Sequence, residues 1–157
     1  MNTMQLLKSP WKLKFFFLFK LPLAFITGLK IVSLTEESAS IGIRYGYFTK
    51  NPFRSIYFAC LAMAAELASG TLALLHTKDK KPSISMLVVG MKAEFYKKAT
   101  GTVRFECLDG AKIKAAVEQA VHTSEGTTVE ATSSGFDDQR QEIARFVITW
   151  SFKGRSH

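Results

Sequence analysis

The chain has 157 residues, 47% hydrophobic and 22% charged, with 21 basic against 13 acidic side chains and a formal net charge of +8. That composition excludes a disordered chain and describes one globular domain, long enough to bury a single core without staples. Two cysteines far apart, Cys60 and Cys107, and three scattered histidines, His76, His122 and His157, offer neither a disulfide framework nor metal-ligand spacing, so no metal and no cofactor is expected.

The excess charge is unevenly placed. Residues 1–30 carry Lys8, Lys12, Lys14, Lys20 and Lys30 and no acid, while the remainder carries 16 basic against 13 acidic side chains. The later clusters, Lys78, Lys80 and Lys81 and then Lys97 and Lys98, lack interleaved aromatics that could stack bases, and no nucleic acid is expected as a partner. Residues 1–28 therefore read as a basic, Phe-rich helical leader, and residues 29–157 as the domain.

A lysine-bearing start followed by the apolar run Trp11 to Leu34 has the outline of a secretory signal. Lys14 and Lys20 interrupt that run, Pro22 breaks it, and no Ala-x-Ala cleavage site follows, so a cytoplasmic location is expected. Phe15, Phe16, Phe17, Leu18 and Phe19 between lysines suit an amphipathic helix that either covers the domain or lies on a bilayer. Peripheral membrane contact through residues 11–28 is thus left open.

Lys30 to Leu34 and Ala39 to Tyr45 read as extended, joined by the polar bend Thr35 to Ser38, as one long strand or a hairpin. The loop Gly46 to Pro52 leads into a stretch, Ser55 to Thr77, whose only charged side chain is Glu66. It is long enough to cross a bilayer, but it is built from small residues, and a carboxylate near its midpoint opposes insertion. A fully buried helix ending near His76 is the better reading.

Alternation predicts further strands over Ile84 to Lys98 and Thr102 to Leu108, with Ala99-Thr100-Gly101 short enough for a hairpin. Asp109 is the expected N-cap of a helix from about Ala111 to His122, whose apolar stripe is Ile113, Ala116, Val117, Ala120 and Val121. Thr128 to Ser134 and Ile143 to Phe152 complete the set, joined by a polar turn at Asp137 and Asp138. A helix that is apolar all round needs cover on every side, so the expected class is α+β, an antiparallel sheet wrapped around a long central helix.

Residues 51 to 66 read Asn-Pro-Phe-Arg-Ser-Ile-Tyr-Phe-Ala-Cys-Leu-Ala-Met-Ala-Ala-Glu. This resembles the loop-to-helix signature of hotdog thioesterases of the phenylacetyl-CoA type, Asn-Pro-Leu-Gly-Thr-x-His-Gly-Gly-Ala-x-x-x-Leu-x-Asp, in register without a gap. Asn51 and Pro52 match, and Glu66 takes the place of the catalytic aspartate. Tyr57 stands where that family has His, and Phe58 and Ala59 where it has Gly-Gly. Val129-Glu130-Ala131-Thr132 and Thr149-Trp150-Ser151-Phe152 are similar to a hotdog branch described only as a domain of unknown function. The resemblance spans about Leu29 to Lys153 and implies the hotdog fold, an acyl-CoA or related acyl ligand, and a homodimer or homotetramer.

It also implies a chemistry. Thioester hydrolysis needs donors aimed at the developing oxyanion and a carboxylate that attacks or activates water. The donors would be the amides of Phe58 and Ala59, where free N–H groups and the helix dipole favour negative charge. Tyr57 and Asn51 would border the substrate. Glu66 follows Tyr57 by nine residues, roughly 13 to 14 Å along a helix and on its opposite face, so the acid would come from a second subunit. The alternative is a non-catalytic hotdog module that binds an acyl group or only packs as a dimer, with Tyr57 and Phe58 filling the slot.

Overall fold

The computed structural model describes residues 18–123 and 125–155. The part of the expected leader before Leu18 lies outside these residues; the part within them contains a short helix, α1 (Pro22–Ile26). Then come β1 (Lys30–Leu34), β2 (Ala39–Arg44), α2 (Phe58–Thr77), β3 (Ile84–Phe95), β4 (Thr102–Cys107), α3 (Gly110–Thr123), β5 (Thr127–Phe136) and β6 (Glu142–Gly154). The strands form a six-stranded sheet in the order β1-β2-β4-β5-β6-β3, with every neighbouring pair antiparallel.

The sheet curls around α2. Small residues on the helix, Ala64, Ala65, Ala68, Ser69, Gly70 and Ala73, are buried and let strands approach its backbone closely. At Gly70 an added Cβ would lie 3.3 Å from the Trp150 indole of β6, so the absent side chain gives the ring its place on the helix. Polar contacts then fix the helix's rotation. The Trp150 indole Nε1 donates to Ser69 Oγ at 3.0 Å, and Ser133 Oγ of β5 donates to the Ala65 carbonyl at 2.8 Å. At the far end His76 Nε2–H donates to the Glu36 carbonyl at 2.8 Å, tying the helix to the β1–β2 bend. α2 is the one described helix with the length and hydropathy of a membrane span, and most of it is enclosed by the sheet.

The alternating face of β6 behaves as its sequence suggests: Phe146, Ile148, Trp150 and Phe152 are all buried. Cys107 is fully buried, and burial pushes its thiol up to about 11, the behaviour of a core residue rather than a reactive one. The amphipathic helix α3 buries Ile113, Ala116, Val117 and Ala120 as its stripe requires.

Two local expectations are corrected. β3 and β4 do not form a hairpin: β3 pairs with β6 along the sheet edge, while β4 lies between β2 and β5. Strand length supplies the reason, because β3 has 12 residues and β6 has 13 but β4 only 6. A β3–β4 hairpin would leave half of β3's backbone groups unpaired. Asp109 does precede α3, but its carboxylate accepts the Thr132 N–H at 2.7 Å, so it pins β5 instead of acting as the side-chain cap.

The first turn of α3 passes under the β1–β2 bend, where an added Cβ at Gly110 would lie 2.2 Å from the Glu36 carbonyl oxygen and 2.5 Å from Glu37 Cα. Backbone cannot yield there as a flexible side chain would. Gly110→Ala is expected to destabilise the protein by roughly 1–3 kcal/mol in urea unfolding. Gly101→Ala, whose added Cβ meets nothing within 4 Å, should stay within about 0.5 kcal/mol of the native chain.

Candidate functional site

The residues singled out by sequence converge on the N-terminal half of α2. The loop before it is built by Asn51. Its Oδ1 accepts the N–H groups of Phe53 (2.9 Å) and Ser55 (3.2 Å), its Nδ2 donates to Ser55 Oγ (3.0 Å), and its own N–H donates to the Ser55 carbonyl (2.9 Å). Asn51 is thus an Asx-type organiser of the loop, with its side chain turned to its own backbone.

Tyr57 is the N-cap of α2, with extended backbone (φ −62°, ψ 134°) and no side-chain cap. Its carbonyl accepts the N–H of Cys60 at 2.9 Å and of Leu61 at 3.3 Å, leaving the amides of Phe58 and Ala59 without a backbone acceptor among the described residues. Both residues are exposed. Two free amides at the positive end of a 20-residue helix are what an oxyanion would need.

Two depressions flank this helix end. One, of about 480 Å³, is bordered by Asn51, Tyr57, Phe58, Phe95 and Tyr96, with Lys97 and Lys98 on its rim. The other, of about 550 Å³, runs along the helix past Tyr57, Ala59, Cys60, Met63 and Glu66, and is closed by Leu23 and Thr27 near α1, Phe48 of the loop and Met91 of β3. Phe58 borders only the first. Its ring packs edge-on against Tyr57 (centroids 5.0 Å) and Phe95 (6.5 Å), and Phe95 in turn meets Phe146 at 5.6 Å. The bulky side chain that replaces glycine is therefore drawn toward β3 and leaves the Glu66 groove open.

Glu66 is half-buried, and no hydrogen bond or ion pair from another described residue reaches its carboxylate. Burial raises its pKa above the ordinary value of 4.5. The same effect raises the neighbouring Cys60 thiol, which keeps it protonated and a poor nucleophile. Of the two reactive groups in the groove, the carboxylate is the one suited to accept a proton near neutral pH.

The expectation that Tyr57 and Glu66 face opposite ways does not hold, for both border one groove in a single chain. The helical phase starts only at Phe58, so the rotation counted from Tyr57 does not apply to its side chain. The axial separation persists: Ala59 and Glu66 share a face but lie two turns, about 10 Å, apart. The sequence reading missed Met63 and Met91 as groove residues. The spacing of Ala59, Met63 and Glu66 on one helix face would have found the first; Met91 depended on the pairing of β3.

An unpartnered carboxylate with a raised pKa has a thermodynamic consequence. Between the ordinary value of 4.5 and its raised native value Glu66 binds more protons folded than unfolded, so its contribution to stability falls as pH rises through that window. Glu66→Gln is accordingly expected to stabilise the protein at pH 7. The gain should shrink as pH falls through the raised value and vanish below 4.5, as read by chemical unfolding across pH.

The sequence matches the family model "Domain of unknown function (DUF4442)" over residues 10–152, beginning inside the stretch set apart above as the leader. No curated protein matches the chain. Among solved structures, a Pseudomonas aeruginosa protein of unknown function described as a probable thioesterase superposes with a TM-score of 0.78 at 19% identity, covering 94% of this chain and 97% of that one. A Chlorobaculum tepidum protein of unknown function gives 0.77 at 14% identity over 94% and 98%. A thioesterase of Haemophilus influenzae gives 0.66 at 11% identity over 95% and 94%. With the sheet wrapped around α2 and a match over most of its length, the chain belongs to the DUF4442 family and has the hotdog fold of thioesterase-like proteins.

Proposed function

We propose that the protein is an acyl-CoA thioesterase-like hydrolase whose sites are shared between two copies of the chain. The observation that carries this reading is the desolvated Glu66, without a hydrogen-bond or ion-pair partner among the described residues, on an apolar groove that reaches Ala59 at the uncapped start of the helix. In this reading an acyl chain lies along Ala59, Met63 and Met91. The thioester carbonyl oxygen points at the amides of Phe58 and Ala59 of one copy, and Glu66 of the other copy acts as general base or as nucleophile. As base it takes a proton from water while the water oxygen bonds to the carbonyl carbon. The C–S bond then breaks as Glu66 returns that proton to sulfur, so the products are the carboxylic acid and the free thiol.

The axial gap between Ala59 and Glu66 is why a second copy enters. β3 offers the surface for it: a 12-residue edge strand with Leu87, Val89, Met91 and Phe95 exposed and one backbone edge unpaired in this sheet. Pairing of two β3 edges would continue the sheet and bring the partner's helix beside the groove. The second reading, a non-catalytic acyl-binding or structural dimer, is favoured by the Phe58 ring at the helix start, where a glycine would let a substrate approach the backbone more closely.

Turnover of a panel of acyl-CoA thioesters separates them. The hydrolase reading expects thiol release that falls at least about 100-fold in Glu66→Ala with the melting curve retained. Acyl-CoA binding without turnover of any of them would establish the binding module instead. A Leu87→Lys/Val89→Lys variant is expected to sediment as a monomer and lose activity; a fully active monomer would rule out the shared site.

A further inference from the structure

α1 is an unusual helix to find on a surface. Its sequence is Pro-Leu-Ala-Phe-Ile, without a polar side chain, and only Ala24 is buried. Leu23 is 62% exposed, Ile26 52% and Phe25 41%. A fraying end would explain exposure, but this segment is anchored. The Thr27 hydroxyl donates to the Leu23 carbonyl at 2.8 Å, the Leu29 N–H donates to the Ala24 carbonyl at 3.0 Å, and Leu29 is buried in the core. Its apolar side chains are held outward in a fixed arrangement.

The patch extends beyond the helix. Leu23 and Phe48 border the same groove, and Phe48 and Tyr47, at 66% and 77% exposed, lie at the tip of the 46–52 loop. Basic side chains accompany the patch: Lys50 Nζ lies 4.6 Å from the Tyr47 ring centroid, and Lys20 and Lys30 are exposed on either side of α1 in sequence. Within the segment that carries α1, residues 18–30, the charged side chains are Lys20 and Lys30, with no acid.

An apolar patch rimmed by charges of one sign can meet a second copy of itself or an oppositely charged surface. Two copies would bring lysines against lysines. An anionic bilayer satisfies both halves of the patch, taking Leu23, Phe25, Ile26 and Phe48 into the headgroup–acyl boundary and the ammonium groups against lipid phosphates. Aromatic rings such as those of Tyr47 favour the same depth. We infer that the surface formed by α1 and the 46–52 loop docks on an anionic lipid bilayer. This docking stands independently of whether the groove catalyses hydrolysis.

The test is flotation of the full chain with vesicles of phosphatidylcholine alone and of phosphatidylcholine mixed with phosphatidylglycerol, at low and high salt. Binding to the anionic vesicles is expected to exceed binding to the neutral ones by at least about tenfold and to weaken with salt. Phe25→Glu/Ile26→Glu, neither of which borders the Glu66 groove, should reduce that binding by at least about tenfold with the melting temperature retained. Lys20→Glu/Lys30→Glu, at exposed positions tolerant of change, should abolish the preference for anionic lipid even if the first variant fails to fold. Absence of flotation on either vesicle, or flotation that neither variant alters, overturns the proposal. So does a loss of sedimenting mass in Phe25→Glu/Ile26→Glu with lipid binding intact, which would make the patch a contact between copies.

Discussion

Everything in this fold follows from enclosing one helix. A 20-residue segment with a single charge has no face to offer water along most of its length, and one layer of structure cannot cover it. The sheet answers by curling, and the small side chains of α2 let it come close enough for the Trp150 indole to lie against Gly70. Close packing alone leaves rotation about the helix axis loosely specified. The contacts of Ser69, Ser133 and His76 remove that freedom, because each buried donor has an acceptor at only one helix rotation.

Fixing that rotation determines where Glu66 goes. Three residues before Ser69, it is held on the margin where cover by β6 gives way to the groove, half-buried and near the added-Cβ position of Gly70. A carboxylate there is desolvated with no ion-pair partner among the described residues, an arrangement that is costly for the charged form. The start of the same helix is equally unfinished: no side chain caps it, and two amides lack a backbone acceptor among the described residues. The groove that holds Glu66 reaches Ala59, one of the two residues whose amides are open, and this is the physical content of the functional reading.

Much of the apolar surface left over after α2 is enclosed gathers on the β3 edge and on α1 with its neighbouring loop, although Val32, Leu74 and Leu108 are exposed elsewhere. These two regions differ in charge. The first is an unpaired strand edge suited to pairing with another strand, while the second has Lys50 against the Tyr47 ring and exposed Lys20 and Lys30 flanking α1 in sequence. That difference is why the two surfaces are proposed to meet different kinds of partner.

The sequence alone determined the enclosed helix, the alternating strands and the amphipathic α3, because hydrophobic periodicity and the isolation of Glu66 are local properties of the chain. The motif at residues 51–66 likewise located the start of α2 and its open amides. Strand partnership was decided only in three dimensions: β3 chose β6 over the adjacent β4 by length, and Asp109 was drawn from its helix to Thr132 across the sheet. The direction of Phe58 was also tertiary, since edge-on packing with Phe95 requires a strand 37 residues away in sequence to lie beside the helix start. Whether the groove stands open depended on that contact, for a side chain's identity states its bulk while only its neighbours decide where the bulk is placed.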